Sequence, residues 1–163
     1  MKKLFFLFIV FGCITANSQT KQVVLKTVTF TEVEKLQKEN PKPIVVFVYT
    51  DWCKFCFSMK QRSFKNKEIV QYLNDHFYFI NLNAESKKNI TFLTSTFNYK
   101  PTGTNTGIHE LANELASVKG RVSYPTTTIL NTNFEIDIQK VGYLDQKTIK
   151  KLLTNYIKYN ETL

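Results

Sequence analysis

The amino-acid sequence predicts one α/β domain in which helices cover a central β-sheet. The run over residues 44–49 is apolar on both faces, which is typical of a strand buried beneath helices, and the largely apolar run over residues 78–82 is predicted as another buried strand. Apolar residues at helical spacing lie between and after these runs. Of the 163 residues 43% are hydrophobic, and a domain of this length buries roughly two-thirds of its unfolded surface. The core therefore needs no disulfide in order to fold.

The first 18 residues are expected to be a signal peptide rather than part of this domain. Lys2 and Lys3 precede an apolar segment over residues 4–11, and Ala16-Asn17-Ser18 offers the small residues that a signal peptidase recognises. The apolar segment is far shorter than the ~20 residues that span a bilayer. We expect export to the periplasm or another extracytoplasmic compartment, with residues 19–163 forming the domain.

Two alternatives to this cleavage stay open. The residues Val10-Phe11-Gly12-Cys13 resemble a lipobox, in which Cys13 would carry a lipid anchor, although Phe11 is bulkier than the motif prefers. The apolar segment could instead remain as an uncleaved anchor.

Charge and cysteine content narrow the function. Cleavage would remove Lys2 and Lys3 and no acid, so the net charge would fall from +9 to +7, which we interpret as a solvated cationic surface. No basic run is longer than a pair, which excludes nucleic-acid binding. Only Cys53 and Cys56 would remain after processing. A disulfide closing so short a loop stabilises a fold little, so this pair is expected to be redox-active rather than structural.

Two elements are predicted before the apolar run at residues 44–49. Residues 23–30 alternate moderately and are predicted as a strand. The capping-box pattern Thr31-Glu32-Val33-Glu34 predicts a short helix ending near Glu39, before Asn40-Pro41-Lys42-Pro43.

After the central strand, the sequence predicts a helix over residues 53–64 and a second helix capped by Asn66. The buried strand at residues 78–82 follows. Residues 84–106 show no period, and so long a segment in a compact domain is either functional or mobile.

The remaining elements complete the predicted sheet. Strands are expected over residues 126–130 and 135–141, and Asp145 is expected to cap the last helix. Before them, a helix closed by Gly120 is predicted by an apolar stripe made of Ile108, Leu111, Ala112, Leu115 and Ala116.

The motif Trp52-Cys53-Lys54-Phe55-Cys56 lies where the central strand passes into a helix. Free backbone N–H groups and the positive dipole end stabilise an anion at such a position. The pKa of free cysteine is about 8.5, and that of the first cysteine in such motifs falls to roughly 3.5–7.5. We assign Cys53 as the attacking thiolate, assisted by the charge of Lys54 if that side chain points toward the sulfur.

Cys56 is expected to be the resolving thiol. It lies one helical turn from Cys53, within the roughly 5.5 Å Cα separation that a disulfide prefers, and should be the more buried of the two. A permanently closed staple is an alternative. A zinc site would need two further ligands, and neither His76 nor His109 has zinc-ligand spacing to the cysteines. We therefore expect no metal and no cofactor, with His109 solvated near a helix N-terminus and His76 structural.

Three landmarks together resemble the thioredoxin superfamily: Trp52-Cys53-Lys54-Phe55-Cys56, Tyr124-Pro125-Thr126, and Gly142 after the last strand. The resemblance spans roughly residues 21–159. It implies a thioredoxin-like fold with a central mixed β-sheet flanked by helices and an insertion before the third major helix. The insertion resembles that of exported bacterial thioredoxin-like proteins. Asp51-Trp52-Cys53 is similar to the periplasmic C-terminal domain of membrane thiol-transfer proteins.

The resemblance also implies roles for individual residues. Pro125 is expected in the cis form against the disulfide, with the backbone of Tyr124 pairing with substrate as an added strand. Trp52 would pack beside the site or present a surface to partner proteins. Thioredoxins usually carry a buried Asp six positions before the first cysteine, and this chain has Phe47 there. Either Asp51 takes that role or resolution relies on water.

The function expected from sequence is an exported thiol–disulfide oxidoreductase that exchanges the Cys53/Cys56 dithiol and disulfide with protein substrates. We favour reduction over oxidation, because an oxidising compartment needs a dedicated reductant, and a membrane thiol-transfer protein is the expected electron partner. The alternative is a binding or chaperone module on a thioredoxin scaffold without essential redox activity.

Overall fold

The computed structural model describes residues 23–162, so the expectations for the signal peptide and for Cys13 lie outside the described residues. A 3-10 turn at Ser63–Lys65 follows the second helix. The other elements, in chain order, are α1 (Phe30–Glu39), β1 (Ile44–Tyr49), α2 (Lys54–Gln61), α3 (Lys67–His76), β2 (Tyr78–Asn83), β3 (Ile90–Phe92), β4 (Ser95–Phe97), β5 (Tyr99–Pro101), β6 (Gly107–His109), α4 (Glu110–Ala116), β7 (Ser117–Val118), β8 (Arg121–Val122), β9 (Thr126–Leu130), β10 (Ile136–Val141) and α5 (Gln146–Asn160).

The main sheet has four strands in the order β10-β9-β1-β2. β1 runs parallel to β2 and antiparallel to β9, and β9 runs antiparallel to β10. β1 is therefore central, as its apolar composition predicts, and the expected mixed sheet is confirmed.

Helices cover both faces of this sheet. Val45 and Phe47 of β1 join a core cluster that includes side chains from α2, α3 and α5. Ile44, Val46 and Val48 point to the opposite face and join side chains from α1 and α4. Alternate residues of a strand point to opposite faces, so a strand covered on both sides must be apolar throughout.

The predicted strand at residues 23–30 and the cap at Thr31 are wrong. Residues 23–29 have no regular structure, and one backbone hydrogen bond, from Val28 N–H to Phe79 C=O (2.9 Å), joins them to β2. Helix α1 begins at Phe30, because the capping box forms between Thr29 and Glu32, two residues earlier than predicted. The predicted end of this helix at Glu39 is confirmed.

The predicted helix over residues 53–64 ends earlier than expected. Helix α2 stops at Gln61, and the 3-10 turn takes over the last part of the predicted range. The Asn66 cap of α3 and the Asp145 cap of α5 are confirmed, since each side chain accepts backbone N–H groups of its helix.

The segment at residues 84–106 contains structure that its sequence does not predict. β3 pairs with β4 and β5 with β6, so two small antiparallel hairpins lie between β2 and α4. Phe92 of the first hairpin is buried between Phe30 (ring centroids 5.0 Å apart) and Phe134 (5.3 Å). The insertion expected before the third major helix is thus a packed part of the domain.

The stripe that begins at Ile108 forms a shorter helix than predicted. Ile108 belongs to β6, and α4 begins at Glu110. Gly120 has a φ of +73° but lies in the turn of the hairpin β7–β8 rather than ending α4. Within residues 23–162, none of the helices combines the length and the apolar composition that crossing a membrane requires.

Candidate active site

Cys53 and Cys56 are joined by a disulfide at the start of α2. Cys53 is the N-cap of the helix, and its Sγ accepts a hydrogen bond from the Cys56 backbone N–H (3.1 Å). The two Cα atoms are 5.2 Å apart, which agrees with the separation expected for one helical turn. The loop after β1 thus delivers a sulfur atom to a helix end, where backbone N–H groups lack partners within the helix.

The two cysteines differ in their contact with solvent. Cys53 is 6% exposed and Cys56 is 1% exposed, so Cys56 is the more buried, as expected. Both belong to the core cluster that also contains Phe47 and Met59. An attacking molecule can therefore reach the disulfide more readily through Cys53.

Trp52 presents its ring to solvent rather than packing into the core, since 67% of it is exposed. Its indole N–H donates to Glu85 Oε1 (3.0 Å), and its ring contacts Tyr124 edge-on, with centroids 6.1 Å apart. Sequence reasoning missed Glu85. Glu85 meets Trp52 because the parallel register sets Tyr49 beside Asn83, so that the residues just after β1 and β2 lie together, and no local pattern in the sequence gives this register.

Asp51 and Lys54 were also expected to support the site. Among residues 23–162, neither side chain forms a hydrogen bond or an ion pair with the cysteine sulfurs. Asp51 is exposed and accepts a hydrogen bond from Asn83 Nδ2 (2.8 Å). Lys54 is exposed, and neither ion pair found among residues 23–162 includes it.

The core cluster that contains both cysteines is rich in aromatic side chains, and Phe47 stands where thioredoxins usually have a buried Asp. Phe47 is fully buried and packs against Phe64 (4.9 Å between ring centroids) and Tyr49 (6.0 Å). The Lys60 ammonium lies over the Tyr49 ring, 2.9 Å from its centroid, and burial lowers the pKa of Lys60. Sequence reasoning did not single out Lys60, although it lies one helical turn after Cys56 on α2.

The Tyr124–Pro125 peptide bond is cis, as the resemblance implies. Pro125 is buried, and its carbonyl accepts a hydrogen bond from the Gly142 backbone N–H (2.8 Å). Gly142 has a φ of +96°, in the region that favours glycine. Together with the contact of Tyr124 and Trp52, this brings all three sequence landmarks to one end of the sheet.

His109 is buried, and the expectation of a solvated residue is wrong. It caps α4 by accepting the Leu111 backbone N–H on Nδ1 (3.2 Å), while Nε2 lies 3.1 Å from the Lys88 carbonyl oxygen. Burial lowers the pKa of His109. His76 ends α3 and its ring lies 4.4 Å from that of Tyr72. In the part of the chain that the structure covers, no three His, Cys, Asp or Glu side chains are grouped as metal ligands would be.

Comparison with known proteins gives matches to a thioredoxin-like family model and to proteins with the thioredoxin fold. A family model described as a thioredoxin-like domain matches residues 30–157. The curated relative spermatogenesis-associated protein 20 from Mus musculus is 34% identical over 64 residues, which are 39% of this chain and 8% of that protein. The chain thus spans less than a tenth of the curated relatives that it matches.

Solved structures of thioredoxin-fold proteins are also similar. A thioredoxin from Thermus thermophilus superposes with a TM-score of 0.58 and 15% identity, over 82% of this chain and 87% of that one. A disulphide isomerase from Xylella fastidiosa Temecula1 gives 0.53 and 14%, over 79% and 91%. At these identities the similarity shows the shared fold.

Proposed function

The chain belongs to the thioredoxin-like domain family, and from this membership we propose that it is a thiol–disulfide oxidoreductase acting on protein disulfides. One observation carries the proposal: the disulfide has its more exposed sulfur at the N-terminal end of a helix. A helix end favours the thiolate form of that sulfur once the disulfide is reduced, and the thiolate is the nucleophile in disulfide exchange.

The proposed reaction begins with the reduced pair. The Cys53 thiolate attacks one sulfur of a substrate disulfide, so that a Cys53–substrate disulfide forms and the other substrate sulfur leaves as a thiolate. Cys56 then gives its proton to water and attacks Cys53 Sγ as a thiolate. The Cys53–Cys56 disulfide forms, the second substrate thiolate leaves, and two electrons have passed to the substrate. This exchange needs no cofactor.

Supporting roles follow from the contacts of the neighbouring residues. We assign Tyr124 and Pro125 to substrate binding and Trp52 to a partner-facing surface, because Trp52 is exposed and Tyr124 lies against its ring. We propose that Asp51 and Lys54 set the local charge around Cys53, since both are exposed and lie close to it in the sequence.

Reduction of a protein disulfide tests the proposal. Cys53→Ser should lower the rate at which insulin becomes turbid to the rate given by the added reductant alone, because the nucleophile is lost. Serine also serves as an N-cap, so α2 should persist in this variant. Activity near that of the wild type would remove the enzymatic function.

The alternative is a binding or chaperone module. The observation that favours it is the exposure of two aromatic side chains next to the cysteines, Trp52 and Phe55. Replacing both Cys53 and Cys56 by serine separates the two. A binding module would still suppress aggregation of an unfolded protein after this change, whereas an oxidoreductase would lose all activity.

We further propose that the protein works outside the cytoplasm in the reducing direction, with residues 1–18 acting as the export signal. The support is the charged and then apolar pattern of those residues. A membrane thiol-transfer protein would then return electrons to the Cys53–Cys56 pair.

A further inference from the structure

A groove runs along one edge of the main sheet, between β10 and α5. β10 is the outermost strand in the order β10-β9-β1-β2. The helix lies back along it, since Asp137 near the start of β10 accepts a hydrogen bond from the Tyr156 hydroxyl near the end of α5 (2.7 Å). The groove is open to solvent and has a volume of about 410 Å³, which is within the range of small-molecule sites.

The surface of this groove is largely apolar. Ile138 of β10 and Leu144 of the loop after it supply part of the lining. The rest is one stripe of α5 at positions i, i+3, i+4, i+7, i+8 and i+11, namely Thr148, Lys151, Leu152, Asn155, Tyr156 and Tyr159. Tyr159 is 66% exposed. Apolar side chains that stay in water give up the free energy of burial, so the groove favours a ligand that covers them.

The charge beside the groove is positive. Lys140 of β10 and Lys151 of α5 flank it, one from each wall, and both are exposed. Among residues 23–162, the two ion pairs found involve other lysines, and neither of these two ammonium groups donates a hydrogen bond. The described residues that line the groove include no Asp or Glu, and the nearby Asp137 is engaged by the Tyr156 hydroxyl. Such a pair of cations attracts an anionic group.

We propose that this groove binds a long-chain carboxylate, a single-chain anionic amphiphile, whose alkyl chain lies along α5 toward Tyr159 and whose carboxylate lies between Lys140 and Lys151. The inference goes beyond the proposed function and does not depend on thiol exchange. An alkyl chain suits the lining better than a peptide does, because a peptide brings backbone N–H and C=O groups that a largely apolar surface leaves without partners.

The length of the chain tests the apolar part of the site. Calorimetric titration of the protein with octanoate, decanoate and dodecanoate, each below the concentration at which it forms micelles, gives the three dissociation constants. Each buried CH₂ group should strengthen binding about fourfold, so dodecanoate should bind at least about tenfold more tightly than decanoate. Leu152→Ala should weaken the binding of dodecanoate about fivefold, because it removes part of the apolar wall.

The charge of the ligand tests the cationic part, with Lys158 as the matched control. Lys158 is exposed on α5 about 10 Å from Lys151 along the helix, and it does not line the groove. Lys151→Glu and Lys158→Glu change the net charge equally. Lys151→Glu should weaken dodecanoate binding at least about fivefold, since an attraction becomes a repulsion, whereas Lys158→Glu should weaken it less than about twofold. Dodecyltrimethylammonium should bind the wild type at least about tenfold more weakly than dodecanoate does.

Three results would overturn the proposal. The first is the absence of saturable binding of dodecanoate. The second is equal binding of dodecanoate and dodecyltrimethylammonium, or equal weakening by Lys151→Glu and Lys158→Glu, which would show that the lysines select no anion. The third is a dimer in sedimentation equilibrium that Leu152→Ala dissociates, which would assign the groove to a second copy of the chain. None of these results bears on reduction of a protein disulfide, so the proposed function is tested separately.

Discussion

Cys53 Sγ occupies the position that a serine or aspartate oxygen fills at most helix starts. It accepts the Cys56 N–H at 3.1 Å, and no carboxylate or imidazole forms a hydrogen bond with it in the described chain. The helix end is therefore the main source of anion stabilisation for the reduced sulfur. The presence of buried Phe47 in the same core cluster agrees with this assignment, because an aromatic ring supplies neither a charge nor a strong hydrogen-bond acceptor.

A titration of the Cys53 thiol tests this at the level of one atom. In the reduced Cys56→Ser variant of residues 19–163, where Cys53 is the remaining thiol, the rate of alkylation by iodoacetamide should rise with pH. We expect a midpoint well below the pKa of about 8.5 of free cysteine, which is measured alongside as the reference. A midpoint at or above that of free cysteine would contradict stabilisation by the helix end.

Sequence spacing could predict the residues of the motif but not those that reach it from elsewhere. Cys53 and Cys56 are close because of helical geometry, which acts over four residues. Glu85 and Tyr143 contact the motif across the sheet end, so their part depends on strand register and on the loop after β10. Neither feature leaves a local pattern in the sequence.

At the scale of elements, the start of α4 shows how a polar residue can be structural. His109 is the N-cap of α4 and also binds the loop before β3 through the Lys88 carbonyl. Its imidazole is neutral when Nδ1 accepts the Leu111 N–H and Nε2–H donates to Lys88. The neighbouring Glu110 pairs with Lys100, at 3.0 Å, and its charge partly opposes the lowering of the His109 pKa by burial.

This arrangement predicts an acid-dependent loss of stability. Because the pKa of His109 is lowered from 6.5 in the folded protein, the unfolded chain takes up a proton first as the pH falls below that value. The free energy of unfolding should therefore fall from pH 6.5 down to the lower pKa of the folded state, and it should be insensitive to His109 above pH 6.5.

The variant His109→Asn, which keeps a capping side chain, should lose less stability over that range. Urea unfolding of both proteins at about pH 7.5 and about pH 5 measures the difference. Equal losses in the two proteins would mean that His109 takes up its proton in the folded state as readily as in the unfolded chain.

Long apolar patterns could be predicted as elements, and short ones could not. β1, α3 and α5 are 6, 10 and 15 residues long, each has an apolar run or stripe, and all three lie where the sequence predicts them. The hairpin strands at residues 90–109 are three residues long, which is too short for a period to be visible. The strand prediction for residues 23–30 was wrong for a different reason. An alternating pattern favours an extended chain, but it does not ensure that a neighbouring strand is available for hydrogen bonding.

At the scale of the whole molecule, the mixed sheet was expected from the resemblance and not from periodicity, and its strand order β10-β9-β1-β2 is given by the structure. Parallel pairing of β1 and β2 is set by the helices α2 and α3 that connect them, since such a crossover needs a dozen or more residues. This topology brings the ends of β1, β2 and β10 and the start of β9 to one edge of the molecule, where the disulfide lies.

The reduction potential of the Cys53–Cys56 pair is a property of this whole arrangement and tests the proposed direction. Stabilisation of the thiolate makes the pair more oxidising, whereas an uncompensated buried Cys56 does the opposite. We expect a value nearer to the about −270 mV of thioredoxin than to the about −120 mV of a strong oxidant. Equilibration with glutathione or dithiothreitol buffers measures it, and a value near −120 mV would assign the protein to disulfide formation.

The central claim is that Cys53 forms a covalent intermediate with substrate and that Cys56 resolves it, and trapping this intermediate tests it most directly. The Cys56→Ser variant, incubated with a disulfide-containing protein and separated on a non-reducing gel, should accumulate a complex that disappears on adding reductant. The variant lacking both cysteines should form none. A monomer band alone from Cys56→Ser would contradict the account.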